Sequence, residues 1–92
     1  MDETALDGNA IGGLLWDVFG QEMTVATGVC DHCGASEVVA RLEVYVRAPG
    51  TVVRCPHCGW VLMRIVRAPG RTWLDLRGLR TIQLAGSSTR AL

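Results

Sequence analysis

The sequence predicts a small, metal-bound, mainly β domain: two β-hairpins built around paired cysteine turns, with an N-terminal amphipathic α-helix. Three observations carry this. All four cysteines fall in two Cys-x-x-Cys turns, the segments around the second turn have strand character, and one stretch before the first turn has helical periodicity. The turns are Cys30-Asp31-His32-Cys33-Gly34 and Cys55-Pro56-His57-Cys58-Gly59, with 21 residues between Cys33 and Cys55. Two residues between thiols let both sulfurs reach one ion from one tight turn, and two such turns supply the four thiolates of a tetrahedral site. Cys30, Cys33, Cys55 and Cys58 are the expected metal ligands. Gly34 and Gly59 suit a turn whose next residue needs positive φ.

At 92 residues and 9.9 kDa the chain is read as one domain, 1–92. Its core is small, and chains of this size often add a metal as a staple. A structural zinc contributes about 10 to 16 kcal/mol in zinc-finger peptides, and that binding energy is folding energy. The metal-free chain is therefore expected to be at least partly unfolded.

The first element is a helix within 6–20. Asp7 can cap it, and Ile11, Leu14, Leu15, Val18 and Phe19 recur at the spacing of one buried stripe, with Gly20 as the stop. Gly12 and Gly13 each lower helix propensity by about 1 kcal/mol, so this helix depends on docking, on the chain's own sheet or that of a second copy. Trp16 lies outside the stripe and is expected to stay partly exposed.

The β region covers 23–84. Met23 to Val29 reads as a short strand leading into the first turn. After that turn, Val38, Ala40, Leu42, Val44 and Val46 alternate with Val39, Arg41, Glu43, Tyr45 and Arg47, the period of a half-buried strand. Val46-Arg47-Ala48-Pro49-Gly50 then recurs as Val66-Arg67-Ala68-Pro69-Gly70, each copy between strand-like runs. Pro followed by Gly favours a type II turn, so two hairpins are predicted. Pairing Ala48 with Thr51 would set Val46 opposite Val53, Val44 opposite Cys55 and Tyr45 opposite Arg54. Pairing Ala68 with Arg71 sets Ile65 opposite Leu74, Met63 opposite Leu76, Arg64 opposite Asp75 and Val66 opposite Trp73. Leu79 to Leu84 is a last strand, and 85–92 reads as a flexible tail.

The formal net charge of zero hides an asymmetry. Residues 1–37 hold seven acids and no Arg or Lys, whereas 38–92 hold nine Arg, no Lys, and only Glu43 and Asp75 as acids. An acidic head on a basic body can pair internally, compete with an anionic partner, or face one. No run of 18 apolar residues suggests a membrane span, and Met1-Asp2-Glu3-Thr4 lacks the basic start of a signal peptide. A cytoplasmic location is expected, where paired thiols more often bind metal than form structural disulfides.

The pattern Cys-x-x-Cys-Gly and Cys-Pro-x-Cys-Gly resembles the knuckle pair shared by zinc ribbons and rubredoxins. The chain around it, above all residues 44–56 and 66–78, resembles a family of small uncharacterised bacterial proteins described only as domains of unknown function. The resemblance covers about residues 6–84 and implies a zinc-ribbon-like fold but no activity. Four thiolates suit Zn2+ and also a single iron. The basic ribbon half and the 5% aromatic content differ from the acidic, aromatic-cored rubredoxins, which places zinc first and iron as the alternative.

His32 and His57 each precede the second cysteine of a turn, and with four thiols already present they read as exposed turn residues or neighbours of the site rather than ligands. No catalytic constellation stands out, and a closed four-thiolate site leaves no position for substrate, so the chain is not read as an enzyme. What remains is a candidate partner surface: Arg64, Arg71, Trp73 and Arg77 on the second hairpin, extended by Tyr45, Arg47 and Arg54 on the first. Arginine with interleaved aromatics contacts phosphates and bases, and the same combination is enriched at protein interfaces. With zero net charge and no dense basic run, the function expected is a structural zinc-ribbon module that binds another macromolecule, protein before nucleic acid. A rubredoxin-like electron carrier is the alternative.

Overall fold

The computed structural model describes residues 5–47 and 49–84. Among these residues, eight strands form two antiparallel sheets. β1 (Leu6–Asp7), β4 (Glu43–Arg47), β5 (Gly50–Arg54), β6 (Val61–Ala68) and β7 (Arg71–Asp75) make a five-stranded sheet in the order β1-β4-β5-β6-β7. β2 (Thr27–Cys30), β3 (Ser36–Val38) and β8 (Leu79–Gln83) make a three-stranded sheet in the order β3-β2-β8. The first cysteine turn joins β2 to β3 and the second joins β5 to β6, so each sheet delivers one cysteine pair to the other.

The N-terminal helix forms, in two parts. Asp7 accepts a bond from the Asn9 N–H (3.1 Å), Gly8–Ile11 is a 3-10 turn, and α1 runs Gly12–Phe19 to a left-handed Gly20, φ 75°. Leu6 and Asp7 belong to β1 rather than to the helix. Only glycine fits at the start of this turn: Gly8 lies so close to the next layer that a Cβ there would sit 1.8 Å from the Val39 carbonyl oxygen. Ile11 and Leu15 are buried in one cluster with Val44, Val53, Met63 and Ile65, and Leu14, Val18 and Phe19 pack against it. The stripe thus docks on the chain's own sheet, and Trp16 remains 53% exposed.

Two strand readings are corrected. The segment 23–26 is a turn, with the Ala26 N–H bonded to the Met23 carbonyl (3.0 Å), so the ladder begins only at Thr27. The alternating stretch 38–46 is not one strand, because Val39–Arg41 forms a 3-10 turn between β3 and β4. Here the chain crosses from one sheet to the other. Val39 and Ala40 donate to the carbonyls of Ala26 (2.8 Å) and Thr24 (2.9 Å), and Val39 and Leu42 are both buried, a spacing of three rather than two.

The second hairpin has the expected register, with Ala68 opposite Arg71, Val66 opposite Trp73, Ile65 opposite Leu74 and Arg64 opposite Asp75. The expected Met63 and Leu76 pair is absent. The ladder stops at Asp75, where the Arg77 N–H turns back to the Asp75 carboxylate (3.2 Å) and the Leu79 N–H to the Leu76 carbonyl (3.1 Å).

The first hairpin departs from its repeat. Arg47 pairs with Gly50, Val46 with Thr51, Tyr45 with Val52 and Val44 with Val53, so Thr51 is not available to the expected partner Ala48, which lies outside the described residues. Gly50 is the cause. It is paired with Arg47 on one side and Val66 on the other, and the Arg67 N–H reaches the Pro49 carbonyl (3.3 Å), so this glycine is held in the ladder. Gly70 has only an edge strand after it and takes φ 80°. The shift is two residues, so the side chains keep their faces and only their partners change. Val44, Thr51, Val53, Met63 and Ile65 line the buried face, while Tyr45, Val52, Arg64, Val66 and Trp73 lie on the outer one. The tail reading at 85–92 lies outside the described residues.

Candidate metal centre

The two cysteine turns are built alike. In the first, the Gly34 N–H donates to the Cys30 carbonyl (2.9 Å) and the Cys30 N–H to the Ala35 carbonyl (3.0 Å). In the second, Gly59 donates to Cys55 (2.8 Å) and Cys55 to Trp60 (2.9 Å). Gly34 and Gly59 take φ 79° and 81°, a conformation a side chain resists, so each glycine directs the chain back out after the second thiol. Further N–H groups point at sulfur: His32 to Cys30 Sγ at 3.3 Å and His57 to Cys55 Sγ at 3.4 Å. Such bonds stabilise thiolate over thiol.

The four sulfurs lie within 4.8 Å of one another, and the two contacts between turns are 3.7 Å (Cys30 to Cys58) and 3.8 Å (Cys33 to Cys55). Sulfurs around a tetrahedral ion with metal–sulfur bonds of about 2.3 Å stand about 3.8 Å apart, so the two contacts between turns already have that spacing and the donor set is positioned for one ion. Cys30 and Cys55 are buried, Cys33 and Cys58 exposed. Burial opposes ionisation of Cys30, yet the N–H groups of Cys33 and His32 and the neighbouring thiols outweigh it and bring its pKa down to about 7. At Cys58 the Trp60 N–H favours the thiolate, but burial and the three other sulfurs oppose it and push the pKa up to about 12. Burial likewise raises Cys55. One charge thus forms readily and the next are resisted, a balance that a bound divalent cation reverses.

Around the sulfurs, contacts tie one turn to the other side. The His32 ring stacks on Trp60 (centroids 4.2 Å, planes 8° apart), and His57 Nε2 meets Glu37 Oε1 at 2.8 Å. Gly78 adds a main-chain link: its carbonyl accepts from the Asp31 N–H (2.9 Å) and its N–H donates to the Leu62 carbonyl (3.2 Å). Glu37 and Gly78 were not legible as parts of the site, because the contacts that place them there join distant segments. Trp60 directly follows the second turn, which was its signal. Since neither histidine ring is needed to complete four sulfurs, His32→Ala and His57→Ala are each expected to keep one metal per chain by elemental analysis. Their effect should be on resistance of the turns to chelator, where the stack or the Glu37 contact is lost.

The arginine surface is partly assembled. Arg54, Arg64 and Arg77 line a cleft of about 550 Å³ with Asp31, Trp60 and Asp75, and an adjoining cleft of about 530 Å³ is lined by Arg64, Val66, Trp73, Leu74 and Arg77. Asp75 makes its short ion pair with Arg77 (3.0 Å) rather than with Arg64, its cross-strand neighbour. The Arg77 N–H first, and then the charges of Arg77 and Arg64, hold its carboxyl below the usual range. Arg71 covers the Trp73 ring (5.5 Å) and Arg54 that of Tyr45 (5.8 Å), while Arg54 also donates to the Gly59 carbonyl (2.9 Å). Arg47 lies exposed on β4, outside both clefts. Acids of the N-terminal part meet arginines of the rest within the chain: Asp17 with Arg67 (3.6 Å) and Asp31 with Arg80 (3.3 Å). Both pairs are exposed, and such pairs contribute about 0 to 1 kcal/mol each.

Fold and site define a mainly β protein with a four-cysteine cluster positioned to bind a metal ion. The chain belongs to a family of unknown function, DUF6510, whose profile matches residues 1–87. No curated protein and no solved structure matches it. Among the described residues, no helix is long and apolar enough to cross a membrane.

Proposed function

We propose that the chain is a zinc-ribbon-like binding module, in which Cys30, Cys33, Cys55 and Cys58 hold a structural Zn2+ and the outer face of the five-stranded sheet docks a protein partner. The observation that carries this reading is the placement of two adjoining clefts on that face, one lined by Arg54, Arg64, Arg77 and Trp60 and reaching Gly59 of the second cysteine turn, the other lined by Arg64, Trp73 and Arg77. A four-thiolate set is closed, keeping no position for substrate, which favours a structural over a catalytic ion and a binding module over an enzyme. The reduced thiols this requires suit the cytoplasm. Arginine and tryptophan around a shallow apolar cleft suit a protein segment that brings acidic and apolar side chains. Asp31 and Asp75 within the same cleft disfavour a phosphate backbone.

Elemental analysis and the visible spectrum test the metal, since iron in four thiolates is coloured and zinc is silent; stoichiometric iron in the native protein would move the reading to an electron carrier. Partner class is tested by salt. Binding of a partner from the native host should survive added salt and be lost in Arg64→Glu with metal content unchanged. Binding instead to single- or double-stranded oligonucleotides, falling steeply as salt rises, would overturn the protein reading.

A further inference from the structure

The two edges of the five-stranded sheet are treated differently. On one side β1 is only two residues long, a short edge that offers little to pair with. On the other, β7 is five residues, Arg71–Asp75, four of them exposed and Asp75 half-buried, with Trp73 51% and Leu74 41% exposed. Among the described residues, β7 pairs with β6 alone. An open edge that carries exposed apolar side chains is a template for another strand.

The residue order on this edge selects which strand. Read antiparallel against itself about Trp73, the segment Arg71-Thr72-Trp73-Leu74-Asp75 sets Arg71 opposite Asp75 of a second copy, Thr72 opposite Leu74, and Trp73 opposite Trp73. Both ends of the segment then meet opposite charge, and the centre meets its own aromatic ring. Hydrogen-bond alternation agrees. Ala68 and Arg71 flank the two-residue loop Pro69-Gly70 and form the hydrogen-bonded pair that closes the hairpin, so Arg71, Trp73 and Asp75 direct their main-chain groups to β6. Thr72 and Leu74 therefore direct theirs outward. In the self-paired arrangement these two residues exchange hydrogen bonds with their counterparts, Leu74 and Thr72. The Trp73 pair and the two Arg71 and Asp75 pairs take the non-hydrogen-bonded positions, where cross-strand side chains approach most closely.

We propose that β7 is a homodimerisation edge: two copies join antiparallel about a twofold axis at Trp73, making one ten-stranded sheet. The interface is isologous, each Arg71 meeting Asp75 of the other copy, and it closes because pairing consumes the edge in both chains. Arg71 already lies over Trp73 in the single chain, so the cation and the ring are in place beside the axis. Dimerisation brings the two arginine-lined outer faces side by side, and it does not depend on the proposal of a protein partner for those faces.

Sedimentation equilibrium of the full metal-loaded chain tests the edge. The wild-type protein is expected to dimerise. Arg71→Asp, which sets Asp opposite Asp75 twice, and Trp73→Lys, which sets two ammonium groups on the axis, should each weaken association by roughly tenfold or more. The exchanged double variant Arg71→Asp/Asp75→Arg should recover most of that loss, a result that only the antiparallel register about Trp73 gives. A wild-type protein monomeric up to about 1 mM overturns the proposal. So does a dimer that Arg71→Asp and Trp73→Lys leave intact while circular dichroism shows both variants folded, since it uses another surface or another strand.

Discussion

Replacing Cys55 by Ser is expected to yield a chain that retains no stoichiometric metal and is largely degraded by protease under conditions the parent survives. The expectation follows from where this thiol sits. Cys55 is buried at the end of β5, its N–H bonded to Trp60 across the turn and its sulfur 3.8 Å from Cys33. A serine hydroxyl cannot replace the thiolate, and the remaining three sulfurs lose the geometry that makes the site closed. Structural zinc is worth about 10 to 16 kcal/mol of binding energy at neutral pH, while a whole domain is stable by only about 5 to 15 kcal/mol, so losing the ion removes a margin of the same order as the fold itself. The loss should concern the joint between the two sheets first, since each sheet supplies one cysteine pair. Chelation of the wild-type protein should give the same state, with the metal released in step with loss of protease resistance. Acid acts in the same direction. The thiols must be deprotonated to bind, so protons compete with the ion for the four sulfurs and metal retention should weaken as the pH falls. A Cys55→Ser chain that is metal-free yet as resistant as the parent would show that the core alone holds the fold.

What could be read from the sequence was whatever depends on near neighbours. The Cys-x-x-Cys-Gly turns set their own hydrogen bonds and their own positive φ, and both turned out alike. The Ala68-Pro69-Gly70-Arg71 hairpin closes on itself, and its register followed from its loop. The failures occurred where a distant strand decides. Gly50 carries the same local signal as Gly70, but β6 captures it into the ladder. Val38 to Val46 has the alternation of a strand, yet Val39 and Ala40 give their N–H groups to Ala26 and Thr24, and the chain turns there. The ring of contacts around the sulfurs was beyond sequence reasoning for the same cause: His32 with Trp60 and His57 with Glu37 join residues whose proximity exists only after the two turns have met. The arginine surface was legible as a set of outward positions, but not its pairing, in which Asp75 goes to Arg77 rather than to its cross-strand neighbour Arg64.

Gly78→Ala is expected to carry a large cost outside the cysteines, and one that reaches the metal site. Glycine here is not needed for positive φ; it is needed for room. A Cβ at this position would lie 1.9 Å from the Val61 carbonyl oxygen and 2.7 Å from Leu62 Cα, both main-chain atoms of β6 that no rotamer change can move aside. The two strands must separate or the main chain around residue 78 must leave its place. Either response breaks two bonds at once, from Gly78 to the Leu62 carbonyl and from Asp31 to the Gly78 carbonyl, and those bonds tie the first cysteine turn to the five-stranded sheet. Overpacking alone costs about 1 to 3 kcal/mol, and each lost hydrogen bond adds about 1 kcal/mol, so a loss of roughly 3 to 5 kcal/mol is expected in the unfolding free energy measured with denaturant. The signature that separates this from a general loss of stability is the metal. Because Gly78 holds the turn carrying Cys30 and Cys33, transfer of the ion to a competing chelator should be faster in Gly78→Ala, while Gly13→Ala, where a Cβ meets nothing within 4 Å, should raise stability by up to about 1 kcal/mol and leave transfer close to the parent. Equal transfer rates in the two variants would mean that the turn is held by its sulfurs alone.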